Sequence, residues 1–271
     1  MTAGDTLFSG SIAQLYDQKL GSLLFAPYAV DLAARLHAQQ PAAVLETAAG
    51  TGVLTIELSR SLARKTRIVA TDLNQPMLDH AARKPELAAI EWRQADAQSL
   101  PFGDASFDAV VCQFGVMFFP DRVAAYRQAW RVLRPGGLFL FNVWGPLSAN
   151  PVMAAAVEGL ARRYPQQKSW FLDRTPCGYH DATQIASDLR AAGFGEARIE
   201  TVTLDGHLTT ALDAAVGLCQ GTPMRNEIEA SDPTALDAAT RAAATAITER
   251  CGQGPAPTPL QALVIETHRK D

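Results

Sequence analysis

Three stretches of this chain carry groups that could hold a nucleoside. The run Glu46-Thr47-Ala48-Ala49-Gly50-Thr51-Gly52-Val53 follows the strand-like AAVLE (42–46) and precedes Leu54, Leu58 and Leu62, apolar at i+4. It reads as a glycine-rich turn from a strand into a helix, at the carboxyl end of strand one, where ligands bind in open α/β sheets. Gly50 and Gly52 would let a ligand approach the backbone closely, although glycines in a tight turn also serve packing alone. Asp72 ends the next strand-like run, RIVATD, 20 residues after Gly52. That is close to the spacing at which a carboxylate accepts hydrogen bonds from ribose hydroxyls. Asp96 and Ala97 follow the third run, AIEWRQ (89–94). There a carboxylate could accept from an adenine amino group while the next N–H meets a ring nitrogen. Each acid taken singly could be a solvated strand end; together, at successive strand ends, they indicate an adenosine-containing ligand.

A dinucleotide is disfavoured. Aligning Ala48, Gly50 and Val53 with G-x-G-x-x-G leaves a β-branched residue where helix–strand packing calls for the third glycine.

The elements that must position these residues alternate in the manner of βαβ units between residues 42 and 143, which predicts a parallel sheet. FDAVVCQ (107–113) and GLFLFNV (137–143) complete the set. Val123, Tyr126, Trp130 and Leu133 share a helical face that Asp121 is placed to cap, and LRPGG (133–137) suits a type II turn into the next strand. After GPLSANP the rhythm changes to a helix (151–163) and a loop bearing Trp170, Phe171 and Tyr179, a candidate lid. Asp181 with Gln184 resembles a capping box for a helix that ends at Gly193. A strand, ARIETVTL (197–204), an Ala-rich helical stretch (about 210–250), the loop GQGPAPTP and a last strand, LQALVIET (260–267), follow. That last strand is expected antiparallel, at the sheet edge. The domain reading is a helical N-terminal lid (1–40) and a main domain (41–271) with insertions at about 146–180 and 208–255. The lid has Tyr16, Phe25 and Tyr28 on inward faces.

The loop ETAAGTG, the strand end ATDLNQPML, the segment ADAQSLPFGDASFDAVVCQFGVMFFPD and the turn VLRPGGLFLF resemble the successive motifs of class I S-adenosylmethionine-dependent methyltransferases. The resemblance spans roughly residues 40–145. It is greatest to the subgroup with the ubiquinone and menaquinone C-methyltransferases and many small-molecule O- and N-methyltransferases. It implies a Rossmann-like, seven-stranded, mostly parallel sheet with an antiparallel last strand, flanked by helices, plus helical lid insertions. It also implies S-adenosylmethionine as cofactor and S-adenosylhomocysteine as product. Carried over by position, Glu46 would hold the methionine ammonium end, and Ala48, Gly50 and Gly52 would line the methionine and ribose. Asp72 would hold the ribose diol, Leu73 and Met77 flank the adenine, Asp96 and Ala97 read its edge, and Gln113 sit by the methionine moiety. Tyr16 resembles a tyrosine that closes over the cofactor. The chain departs from the usual pattern at Ala48 and Ala49, where Gly-Cys or Gly-Ser is frequent.

After the fourth strand the chain reads Gln113-Phe114-Gly115-Val116, unlike the Asn/Asp-Pro-Pro-aromatic tetrapeptide of methyltransferases acting on nucleobases or glutamine. With a formal charge of −4, this argues against nucleic acid and for a small-molecule acceptor. Phe114, Met117, Phe118, Trp144, Trp170, Tyr179 and His180 are the candidate acceptor pocket. His180 is the candidate general base, its alternative being a residue flanking a helix start. At 48% apolar and 19% charged residues the composition is ordinary for a globular protein. No run approaches the ~20 apolar residues of a membrane span, so a cytoplasmic protein with no membrane partner is expected, as monomer or homodimer. The four scattered cysteines read as free thiols, and no ligand spacing suggests a metal. Two other readings remain: a catalytically silent S-adenosylmethionine-binding protein, and an NAD-dependent oxidoreductase.

Overall fold

A computed structural model describes residues 11–270. The first ten residues of the expected N-terminal lid lie outside the described part. By their internal contacts the described residues form two compact units: one of residues 28–143, 179–202 and 262–270, the other of 11–27, 144–178 and 203–261.

The first unit is built on the sheet. The strands of the sheet are β1 (Ala43–Glu46), β2 (Arg67–Asp72), β3 (Glu91–Gln94), β4 (Phe107–Gln113), β5 (Leu133–Trp144), β6 (Ala197–Leu208) and β7 (Ala256–His268), in the order β3-β2-β1-β4-β5-β7-β6, with Trp144, residues 203–208 of β6 and 256–261 of β7 counted in the second unit. The sheet is mixed: β1 pairs in parallel with β2 and β4, β2 with β3, and β4 with β5, while the last strand is antiparallel. The bonds Gly136 N–H to Arg269 O and Arg269 N–H to Gly137 O, both 2.9 Å, set β5 and β7 in opposite directions.

One expectation is corrected. β7 lies inside the sheet, between β5 and β6, and β6 is the edge. The cause is composition: Ala262, Leu263, Val264 and Ile265 are all buried and need cover on both faces. By contrast β6 carries Arg198, Glu200, Thr201 and Thr203 on exposed or half-buried positions, the kind of side chains that blunt a strand edge. β7 also begins at Ala256, so it takes up half of the expected GQGPAPTP loop.

Helices α2 (Ala26–Ala38) and α3 (Val53–Ser61) cover one face, where Leu32, Leu36, Leu54 and Leu58 pack on Val44, Ile68, Val111, Leu138 and Leu140. α4 (Gln75–Ala81) follows β2. On the opposite face Tyr126 of α5 (Arg122–Val132) meets Phe139 and Phe141, and Phe194 stacks on Phe139. Asp121 caps α5 by accepting from Ala124 N–H, and Gly136 takes φ +78, as the glycine of the expected turn requires.

The second unit is helical: α1 (Ser11–Leu20), a π turn at Gly21–Phe25, α6 (Pro151–Arg163), α7 (Phe171–Arg174), α9 (Ala211–Gln220), α10 (Met224–Ser231) and α11 (Leu236–Cys251). The expected 210–250 stretch is thus three helices, interrupted at Gly221-Thr222-Pro223 and Asp232-Pro233, where proline cannot continue the ladder. Bare Gly159 lets α6 come close to α11, since a Cβ there would lie 2.5 Å from Ala242 O. No described helix is long and apolar enough to cross a membrane.

Candidate functional site

The register of the parallel strands puts the chemistry on one rim. Glu46 pairs with Ala70 and with Val111, and Val111 with Leu140. Two residues further along each strand, on the same face, stand Asp72 of β2, Gln113 of β4 and Asn142 of β5. β1 has already ended, so its place in the row is taken by the turn starting at Ala48. This interruption falls between β1 and β4, the point where strand order reverses and where such sheets bind ligands.

The turn is held from both sides, because Thr47 N–H reaches Val111 O and Ala49 N–H reaches Thr71 O, each at 2.9 Å. Ala48, Gly50 and Gly52 have φ of +52, +56 and +82. A Cβ on Gly52 would meet Leu87 Cδ1 at 2.9 Å, whereas one on Gly50 would meet nothing within 4 Å. Gly52 is therefore glycine for packing as well as conformation, and open space lies beside Gly50.

Glu46 is 1% exposed, and its Oε2 accepts from Thr55 Oγ1 at 2.7 Å. Burial pushes its carboxyl up to about 8, against the hydroxyl's bond and with help from the charge of Asp72. Asp72 is 7% exposed. Its oxygens accept from Gly50 N–H (2.9 Å), Asn74 N–H (2.7 Å) and, more loosely, Asn74 Nδ2 (3.3 Å). Burial raises its carboxyl too, with those bonds opposing.

Leu73 stands half exposed and Met77 is buried on α4. Asp96 and Ala97 are half-buried, and Asp96 Oδ1 accepts from Gln98 N–H at 2.8 Å. After β4 the backbone kinks at Phe114 (φ +50), whose ring meets Tyr28 edge-on at 5.2 Å. Met117 is buried and Phe118 half-buried. Tyr179 is buried in the same unit, its hydroxyl donating to Asp188 Oδ2 at 2.7 Å and its ring 4.1 Å below the Arg122 guanidinium. His180 is exposed just before α8 (Ala182–Ala191), which Asp181 caps.

Tyr16, Trp144 and Trp170 belong to the helical unit. Tyr16 stacks on Phe25 at 4.9 Å, Trp144 lies 6.2 Å from Phe25, and Trp170 is buried 5.8 Å from Tyr164. The sequence reading missed Thr55 and Asn142. Thr55 carries a signal, being a polar residue three after Gly52 on the buried side of the helix, but Asn142 sits in an apolar strand and only its neighbours reveal it.

Known proteins resemble this chain in sequence and in fold. A family model described as "Methyltransferase domain" matches residues 44–137. The chain is 33% identical over 178 residues to the demethylmenaquinone methyltransferase of Deinococcus radiodurans, covering 60% of this chain and 71% of that protein. It is 38% identical over 101 residues to an Escherichia coli ubiquinone/menaquinone biosynthesis C-methyltransferase, of which it spans 40%, with 36% of this chain matched. Among solved structures, phosphoethanolamine N-methyltransferase 2 of Haemonchus contortus with S-adenosyl-L-methionine gives a TM-score of 0.61 at 13% identity, over 100% of this chain and 61% of that one. The YcgJ protein of Bacillus subtilis gives 0.56 at 19% identity, over 89% and 99%. At these identities the structural likeness concerns the fold alone.

Proposed function

Because this chain belongs to the class I S-adenosylmethionine-dependent methyltransferases, we propose that it methylates a small aromatic acceptor of the phenol or quinol class. The observation that carries this reading is the composition of the rim beyond the switch point. Residues 113–119, Gln-Phe-Gly-Val-Met-Phe-Phe, bear no charge, which suits a flat, apolar acceptor better than an amine or a phosphate ester. The name of the Deinococcus relative points to the same acceptor chemistry.

The residues present fit the cofactor. Open space beside Gly50 leaves room at the turn, and two buried carboxylates stand at the ends of adjacent strands. Glu46 would hold the ammonium, whose charge offsets the cost of ionising a carboxyl at this depth. Asp72 would hold the ribose diol, a hydroxyl replacing the long bond from Asn74 Nδ2. Leu73 and Met77 would flank the adenine, Asp96 and Ala97 would read its edge, and Gln113 would border the methionine part. When bound, S-adenosylmethionine supplies a methyl group on a sulfonium, so the acceptor's electron pair forms the new bond to carbon while the old C–S pair returns to sulfur. The protein's task is to align the acceptor and exclude water, an effect worth up to ~7–11 kcal/mol. Phe114, Met117 and Phe118 offer the acceptor an apolar wall. His180 would take the proton the acceptor loses. His180→Gln should then cut turnover with little change in cofactor affinity, and unchanged turnover would leave it as the flank of α8.

The test is calorimetric titration with S-adenosylmethionine, S-adenosylhomocysteine and NAD, followed by transfer of labelled methyl to quinol, phenol and amine panels. Labelling of quinols or phenols supports the reading. Labelling confined to amines, or tight cofactor binding with no labelled product, refutes it.

A further inference from the structure

Asn142 is fully buried at the rim, and its two amide atoms have opposite fates. Oδ1 accepts from Phe114 N–H at 2.9 Å. Nδ2 is enclosed and has no hydrogen-bond partner among the described residues. The first bond fixes which way the amide points: Oδ1 must face the amide N–H, so the two donor hydrogens are turned away from it. Leaving a buried donor without a partner is costly, and such groups in native folds are normally satisfied by something.

Its position says by what. Asn142 stands level with Gln113, on the face that carries Glu46 and Asp72, one strand further from the switch point than Gln113. Neighbouring strands lie about 4.8 Å apart, so Asn142 is roughly 10 Å from the line of β1, on the side opposite β2. Asp72 takes the adenosine side of the interruption. A donor two strands away on the other side is placed beyond the cofactor, beside the post-β4 aromatic segment that it also holds in shape through Phe114.

We propose that Asn142 is a specificity-determining residue that donates from Nδ2 to the oxygen of the methyl acceptor, a phenolic or quinol hydroxyl. This rests on the aromatic-acceptor reading above. An oxygen next to the reacting centre gains negative charge as the acceptor becomes a nucleophile, and a fixed buried donor stabilises that charge more than the neutral ground state. The same side chain thereby couples two jobs: its oxygen sets the left-handed Phe114, and its nitrogen reads the substrate held against that segment.

The experiment compares 1-naphthol with naphthalene, each titrated into the protein saturated with S-adenosylhomocysteine. The native protein is expected to prefer the naphthol by about tenfold, the worth of one well-made hydrogen bond. Asn142→Leu should abolish the preference. Asn142→Asp keeps an oxygen for Phe114 N–H, so a framework role alone would leave its preference unaltered. If Nδ2 is the donor, this variant should prefer 1-methoxynaphthalene, whose oxygen can only accept, over naphthalene at low pH and lose that preference as the new carboxyl ionises. The same pH series on the native protein removes any contribution of Glu46 and Asp72. Undiminished preference in Asn142→Leu overturns the proposal, as does equal binding of the two probes to the native protein. Loss of S-adenosylhomocysteine affinity in both variants would move Asn142 to the cofactor and also overturn it. Failure of both probes to bind the native protein defeats the aromatic-acceptor reading, and this inference with it.

Discussion

The methyl group of Ala48 and the bare Cα of Gly115 share one space: a Cβ on Gly115 would come within 2.5 Å of Ala48 Cβ and 2.6 Å of Cys112 Sγ. Ala48 holds φ +52 in the turn after β1, where a glycine would be at ease, and the loop after β4 accommodates the extra methyl by having none of its own. The two loops that flank the switch point are therefore matched to one another.

Gly115→Ala is expected to cost ~1–3 kcal/mol of stability through overpacking. In an Ala48→Gly background that cost should fall by ~1 kcal/mol, because only the flexible Cys112 side chain still obstructs. Denaturant unfolding of the four proteins of this cycle measures the coupling; additive effects would show that the loops do not share the space.

Glu46 gives two pH signatures. Its carboxyl keeps its proton in the folded chain up to about 8, from an ordinary 4.5. Between those values the unfolded chain has lost a proton that the folded chain retains, so this group's contribution to stability falls as pH rises from 4.5 to 8. Glu46→Gln should flatten that part of the profile and raise the unfolding temperature at pH 8 relative to the native protein.

Holding an ammonium requires the ionised form, so affinity for S-adenosylhomocysteine should climb by up to tenfold per pH unit toward pH 8, with a proton released on binding below it. Calorimetry in buffers of different ionisation enthalpy counts that proton. Glu46→Gln should bind weakly, without the pH slope; a slope that survives the substitution would take the ammonium away from Glu46.

Asp72→Ala removes the acceptor of Gly50 N–H and Asn74 N–H together with the expected ribose contact. Two lost charge-assisted bonds predict a drop of roughly 100-fold or more in S-adenosylhomocysteine affinity. Calorimetric titration reads this directly, and native-like affinity would remove Asp72 from the site.

Tyr179→Phe deletes the donor to Asp188 Oδ2 in a buried setting. The expected cost is ~1–2 kcal/mol, seen as a lower midpoint in thermal unfolding. An unchanged midpoint would free this hydroxyl from its structural duty.

Much of the frame was legible in spacing alone. Strand ends at Glu46, Asp72 and Gln94 follow from short β-branched runs set between apolar repeats of helical period. The caps Asp121 and Asp181 and the glycines Gly136 and Gly193 mark where helices start and stop, since each is chosen by backbone geometry within a few residues. The resemblance to the methyltransferases rested on those same short motifs. What local pattern could not yield were relations between distant positions. The interior place of β7 depends on which neighbours cover its two faces. The bond from Thr55 to Glu46 joins α3 to the end of β1. The tie from Phe114 to Asn142 joins the ends of two neighbouring strands 28 residues apart, and it leaves one amide nitrogen buried without a partner among the described residues. Sequence determines what each element wants to bury and where it turns; only the assembled sheet, by its register, decides which polar groups end up side by side at one rim.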